Sequence, residues 1–157
     1  MQDITITIRK ANVMEEVAKT TAYIGAKTTL SDGKKAFDQV FVTDEDKKMV
    51  ERFWTEAADV MTNLTRRFIT SVSDVTIDGS VNYVVNLSMS DRYDKNLTDS
   101  ITTSMFSFFV SYIIGKWCEI VAKDDVKEYS DNATAMMESI TQKLYHKIKP
   151  KRTTINE

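Results

Sequence analysis

The hydrophobic pattern opens with a strand and a helix. Residues 4–8 alternate isoleucine with threonine, which is the period of two expected of a half-buried β-strand. From about Asn12 the apolar positions recur every three or four residues, which predicts a helix that weakens near Gly25. Residues 28–41 are polar and predict an exposed excursion, with at most a short strand near Phe37–Val42.

A long helix is predicted next. Thr43 is followed by three acids, a combination that caps free amide groups and opposes the positive end of a helix dipole. Apolar residues at helical spacing then continue from Met49 to Val72. We therefore expect one helix over Thr43–Val72.

A β-hairpin signal follows this helix. Val75 and Ile77 precede Asp78-Gly79, a dipeptide that tolerates the positive φ angles of a tight turn. Val81–Met89 then alternates apolar and mostly polar residues, as a strand does. Because two strands alone are marginal, the strand at residues 4–8 is expected to complete a sheet.

Two further helices are predicted in the last third of the chain. The first begins near Asn96, and the apolar residues within Ile101–Trp117 occupy nearly all of its sides. Such a helix is buried on more than one side, against its own chain or against another subunit. The second covers Val126–Ile148 and is ended by Pro150. Because Lys123–Asp125 is a short connection, the two helices should pack as an antiparallel pair.

The order β–α–α–β–β–α–α predicts a helix-dominated α+β fold. Long helices would pack with a small antiparallel sheet of about three strands, including the hairpin at Asp78-Gly79. The length of 157 residues suits one domain. We expect this domain to cover residues 1–149 and a short polar tail to cover 150–157.

Composition points to an intracellular protein. The net charge is −2, and the single cysteine excludes an intrachain disulfide. The alternating N-terminus lacks the basic start and apolar run of a signal peptide. The most apolar stretch, Met105–Gly115, is shorter than the roughly 20 residues that cross a bilayer, so we expect a buried helix there and no membrane.

The sequence offers little catalytic chemistry. His146 is the only histidine and Cys118 the only cysteine, so a site with two histidines is excluded and Cys118 is expected in the core. We find no phosphate-binding glycine loop, nucleophile elbow or calcium loop. The acids at Asp44–Asp46 and Asp124–Asp125 lie at predicted helix starts, where they stabilise without catalysis. We therefore expect no catalytic residue, metal or cofactor, and an enzyme is the least favoured class.

One charge asymmetry stands out near the C-terminus. No acid interrupts the stretch from residue 143 until Glu157. A solvated helix end explains it most simply, while contact with phosphates or with an acidic partner protein are the alternatives. The candidate contact residues in it are Lys143, Lys147, Lys149, Lys151 and Arg152.

The layout as a whole resembles small virion proteins of tailed bacteriophages, particularly head-to-tail connector or neck-ring subunits. The features that carry the resemblance are the strand at residues 4–8, the Thr43–Val72 helix, the hairpin at Asp78-Gly79 and the closing helical pair to Ile148. The resemblance implies a ring-forming subunit that packs on a portal or a neighbouring ring. It implies a place in the virion after assembly in the host cytoplasm.

Two segments are the best placed to reach a partner in that interpretation. They are Thr28–Phe41, with Phe37 and Phe41 as candidate contacts, and Lys147–Glu157. The expected partners are other protein subunits, in a homo-oligomer or a ring on a larger assembly, with nucleic acid touched at most locally by the basic stretch. The alternative is a small cytoplasmic adaptor or regulatory domain that binds one partner through a helical face.

Overall fold

The structure, a computed structural model, describes residues 1–27, 42, 46–73 and 82–152. Within these ranges a three-stranded sheet packs against long helices, which confirms the predicted helix-dominated α+β class. Short 3-10 turns at Lys95–Leu97 and Lys123–Asp125 precede the last two helices. The elements in chain order are β1 (Gln2–Arg9), α1 (Lys10–Lys27), α2 (Lys47–Thr65), β2 (Ile69–Ser73), β3 (Asn82–Met89), α3 (Thr98–Val121) and α4 (Val126–Tyr145).

The sheet has β3 at its centre and is antiparallel throughout, in the order β1-β3-β2. Val85 of β3 lies opposite both Ile6 of β1 and Val72 of β2. Alternate residues of β1 and β3 are buried, so one face of the sheet forms the floor of the core. The strand at residues 4–8 therefore completes the sheet as predicted.

Polar side chains on the other face tie the three strands together. The Thr5 hydroxyl donates a hydrogen bond to Asn86 Oδ1 at 2.6 Å, and Asn86 Nδ2 donates to Ser71 Oγ at 2.7 Å. This row crosses the sheet from edge to edge. Because a slip of one residue would move Asn86 to the buried face, the row helps to specify the register.

The prediction of one helix over Thr43–Val72 is wrong at its C-terminal end. The helix that forms stops at Thr65, and Ile69–Ser73 is a strand instead. Ile69, Thr70 and Val72 are β-branched and suit a strand, and β3 offers them hydrogen-bond partners that the sequence pattern does not reveal.

Several predicted features lie outside the described residues. They are the turn at Asp78-Gly79 with Val75 and Ile77, the helix cap at Thr43, and the excursion at residues 28–41 with Phe37 and Phe41. The strand of the hairpin that follows the turn, β3, is present.

The last helix is also shorter than expected. α4 ends at Tyr145, and His146 already has an extended backbone with ψ 132°. Pro150 therefore does not end the helix, because the last helical residue, Tyr145, lies four residues before Lys149. Instead, the Ile148 amide donates to the Arg92 carbonyl in the turn between β3 and α3, and Lys147 forms an isolated antiparallel bridge with Tyr93.

α3 is the central element of the core. It packs against α1, α2, α4 and β1, so most of the apolar residues on Ile101–Trp117 are covered by the chain's own elements, while Phe106 and Tyr112 are only partly buried. The fully buried ring of Phe109 lies 4.7 Å from the Trp54 ring of α2 and 5.3 Å from the Tyr83 ring of β3. This cluster joins two helices to the sheet.

The same helix meets the length and composition of a membrane span. Together with the preceding turn it covers residues 95–121, and 56% of its most apolar window is buried in the fold. A core helix passes the same test, so this feature is weak evidence for a membrane. Its burial agrees with the expectation of a buried helix at Met105–Gly115.

Phe109→Ala should destabilise the fold by about 3–5 kcal/mol, because it removes a buried ring and leaves a cavity between α2, α3 and β3. Ile120→Ala on the same helix is the matched control, since Ile120 is 54% exposed and its loss should change stability by less than about 0.5 kcal/mol. Urea unfolding followed by circular dichroism measures both. Equal midpoints for the two variants would contradict the central role of Phe109.

Candidate partner-binding surfaces

The chain after α4 is held as an extended segment against the turn between β3 and α3. The Ile148 amide donates to the Arg92 carbonyl at 2.8 Å. In return the Arg92 guanidinium donates from Nε and Nη2 to the Ile148 carbonyl, at 3.0 and 2.9 Å. Tyr93 and Lys147 form an isolated antiparallel bridge beside them. Residues 147 and 148 therefore form a fixed edge and not a loose tail.

The turn that receives this segment is itself fixed. The Gln2 side-chain amide donates to the Asp91 carbonyl at 2.8 Å, and the Ser90 and Tyr93 carbonyls lie 3.3 Å from the same nitrogen. The Tyr93 ring is buried, and its hydroxyl is hydrogen-bonded to the Thr98 hydroxyl at 3.1 Å. The turn is thus bound to β1 on one side and to the start of α3 on the other.

This arrangement gathers cations at one end of the molecule. We call the exposed set Arg92, Lys147, Lys149, Lys151 and Arg152 the basic terminal surface. Tyr145 and Ile148 add exposed apolar side chains at 46% and 49% of their areas. The basic stretch noticed in the sequence accounts for four of these cations. Arg92 was missed, because only the fold brings it to Ile148.

Lys143 does not belong to this surface. Its ammonium donates to Ser104 Oγ at 2.8 Å and to the Ser100 carbonyl at 3.4 Å, both on α3. It therefore fastens α4 to α3. The structure separates this residue from Lys147–Arg152, although the sequence grouped them together. Phe37 and Phe41, the other candidate contacts, lie outside the described residues.

Arg92→Ala should loosen the C-terminal segment, because the Ile148 carbonyl loses both guanidinium donors. We expect faster amide hydrogen exchange at residues 146–152, with the exchange of α3 unchanged. Arg52→Ala is the matched control, since Arg52 is an exposed arginine paired with Glu56 on α2. Exchange at residues 146–152 that is as slow in Arg92→Ala as in the control would show that the guanidinium does not hold the segment.

A second surface is a groove beside α4. We call it the helix groove; it runs between α4 and its neighbours α2 and α3, over a floor that includes Phe108, Tyr112 and Met137. One part of it encloses about 240 Å³ and the other about 420 Å³, and both parts are lined by Thr134 and Met137. Leu64 of α2 lines the second part. The two parts therefore adjoin at Thr134 and Met137, and most of their exposed lining is apolar.

Acids rim this groove. Glu119 and Glu138 line it directly. Burial raises the pKa of the Tyr112 hydroxyl, and the nearby carboxylates of Glu56, Glu119 and Asp59 raise it further. Together with Glu138 of α4, which lines the groove, these carboxylates bring acids from three helices to the apolar floor.

The two cations near this groove, Lys116 and Arg52, already contact side chains of the same chain. The lining ammonium of Lys116 lies 5.7 Å from the centre of the Tyr112 ring, a cation–π contact, and Arg52 at the margin is paired with Glu56 at 3.3 Å. The balance of charge at the rim is negative.

The described residues contain no group of three or more His, Cys, Asp or Glu side chains that could hold a metal.

Cys118 is fully buried, and burial, reinforced by Asp125 and Glu128, raises its pKa to about 11. Its thiol is therefore protonated at neutral pH and not nucleophilic. Cys118 belongs to α3 and lies beside the start of α4, near Asp125 and Glu128, whereas His146 follows the end of α4. At a rise of 1.5 Å per residue, the length of α4 separates Cys118 from His146 by about 25 Å. The two cannot form a dyad, and Cys118 is the core residue that the sequence predicted.

Cys118 should make the fold sensitive to alkali. Its pKa is raised from 9.0 to about 11 in the folded state. The stability that this shift contributes is complete below about pH 9 and is lost as the pH rises towards about 11, because the unfolded thiol ionises first. Urea midpoints measured across this range should therefore fall less steeply for Cys118→Ala than for the parent chain. Parallel declines would contradict the assignment.

The described part of the chain thus offers two surfaces of opposite charge, a basic fixed edge and an acidic apolar groove. No known protein family, curated protein or solved structure matches the chain. Function is therefore inferred from the two surfaces and from the layout.

Proposed function

We propose that the chain is a non-enzymatic structural subunit of a larger protein assembly, a head-to-tail connector or neck-ring protein of a tailed bacteriophage virion. It acts through protein contacts and joins the virion after assembly in the host cytoplasm. The observation that carries the proposal is the basic terminal surface, in which Arg92 and the segment after α4 hold each other in place.

A fixed edge suits binding better than a loose tail. A segment that is already ordered loses little conformational entropy on contact, so more of the interaction energy appears as affinity. Tyrosine and arginine are enriched in protein interfaces, and Tyr145, Arg92 and Arg152 are all exposed here. The surface combines charge, which orients and steers partners, with apolar area, which holds them.

The assignment to a virion is supported by the resemblance in layout. An N-terminal strand, a long helix, a strand pair and a closing antiparallel helical pair follow one another in the described chain. The boundaries differ from the sequence expectation at Val72 and Ile148, but the order of elements is unchanged.

A cytoplasmic adaptor that binds one partner through a helical face is the second candidate. The helix groove favours it, because an apolar channel between helices is the form of site that receives an amphipathic helix of a partner. The two candidates differ in stoichiometry. An assembly subunit forms a defined multimer or enters a particle, whereas an adaptor remains a monomer with one bound partner.

The molar mass of the purified chain, measured by light scattering over a wide concentration range, tests the proposal. We expect a discrete oligomer. Repeating the measurement at high salt provides the control, because a specific contact between opposite charges weakens with salt whereas apolar aggregation does not.

A chain that is monomeric alone can still assemble on a partner, so purified particles from the source are the second test. Quantitative mass spectrometry should find the chain there at a fixed copy number. A monomer that is also missing from such particles would contradict the proposal and favour the adaptor.

A further inference from the structure

The floor of the helix groove lacks a covering element in the part of the chain that the structure describes. α2 and α4 both pack on α3 but scarcely touch each other, which leaves a channel between them. Tyr112, Met137 and Leu64 are only partly buried where they face it. Methionine adapts its shape to a partner, so this floor suits an inserted apolar side chain.

The charges around this channel match those of the basic terminal surface. Glu119 and Glu138 are exposed and line the groove, and the carboxylates of Glu56 and Asp59 lie near Tyr112 on its floor. The segment from Lys147 to Arg152 carries four cations and no acid. Ile148 in the same segment provides the apolar side chain that the floor can receive.

We infer that the chain associates head to tail with a second copy of itself, the basic terminal surface of one copy docking in the helix groove of the next. This inference rests on the proposed function, since it names the partner and the contact of that assembly. The segment after α4 enters as an extended strand, with Lys147 and Lys149 facing the rim acids and Ile148 facing the floor.

The two surfaces share no residue, which determines the kind of assembly. A contact between different patches is heterologous, so each copy keeps one free surface of each type after pairing. Repetition of the contact then produces a ring if the rotation closes and a filament if it does not. A symmetric dimer would instead require one patch to contact itself, and both patches here carry like charges that disfavour it.

Charge reversal on each surface tests the contact. The edge variant carries Lys147→Glu and Lys149→Glu, and the groove variant carries Glu119→Lys and Glu138→Lys. All four side chains are exposed, so both variants should fold with unfolding midpoints close to the parent's. Each variant alone should self-associate roughly tenfold more weakly or worse, because two attractive pairs become repulsive.

An equimolar mixture of the two variants should recover the assembly. The acidic edge of one then meets the basic groove of the other, and the unchanged edge and groove meet at the alternate contact. Light scattering and sedimentation velocity measure the recovery. The matched control is Glu15→Lys with Lys19→Glu, which reverses an exposed ion pair of α1 at constant net charge and should leave self-association unchanged.

The remaining outcomes separate this inference from the proposed function. Self-association that neither double variant weakens, or a mixture that does not recover, overturns the head-to-tail contact and leaves an assembly subunit with another interface. A parent chain that stays monomeric at every concentration also overturns the contact, while its presence in purified particles decides the proposed function independently. A monomer whose edge binds a DNA duplex, with binding abolished by the edge variant, would identify nucleic acid as the occupant and overturn the inference.

Discussion

Phe109 packs its ring against Trp54 of α2 and Tyr83 of β3, and this contact makes α3 the axis of the fold. A helix with apolar residues on nearly every side must be covered on nearly every side, because each exposed apolar face would forfeit the free energy of burial. The sheet covers it from below, and α1, α2 and α4 cover it from the sides. The positions of α1, α2, α4 and β1 follow from this requirement.

The fixed edge at the C-terminus is a consequence of the same packing. α3 starts directly after the turn that carries Arg92 and Tyr93, and α4 runs back along α3 until it ends beside that turn. The buried Tyr93 and the amide of Gln2 hold the turn in place. Four basic residues after α4 thereby become part of a surface whose shape is set by the core.

The helix groove arises because two helices share one partner. α2 and α4 are both occupied with α3, and they diverge where Leu64 and Met137 face each other across the channel. The acids around this groove come from α2, α3 and α4. They form a common rim only because the fold brings these three helices together. A groove of one charge and an edge of the other give the molecule the polarity that a head-to-tail contact requires.

The strand at residues 4–8, the strand at Asn82–Met89, the two-sided burial of α3 and the inert Cys118 follow from local pattern, because alternation and helical spacing report directly which side chains need burial. The ends of α2 and α4 do not follow from it. At Ile69 the backbone can continue a helix or pair with β3, and at Lys147 it can continue a helix or pair with the turn at Tyr93. The choice depends on partners that only the fold supplies. For the same reason the sequence grouped Lys143 with the other cations and missed Arg92. The sequence shows where the charged residues lie along the chain, but tertiary hydrogen bonds decide on which surface each charged side chain lies.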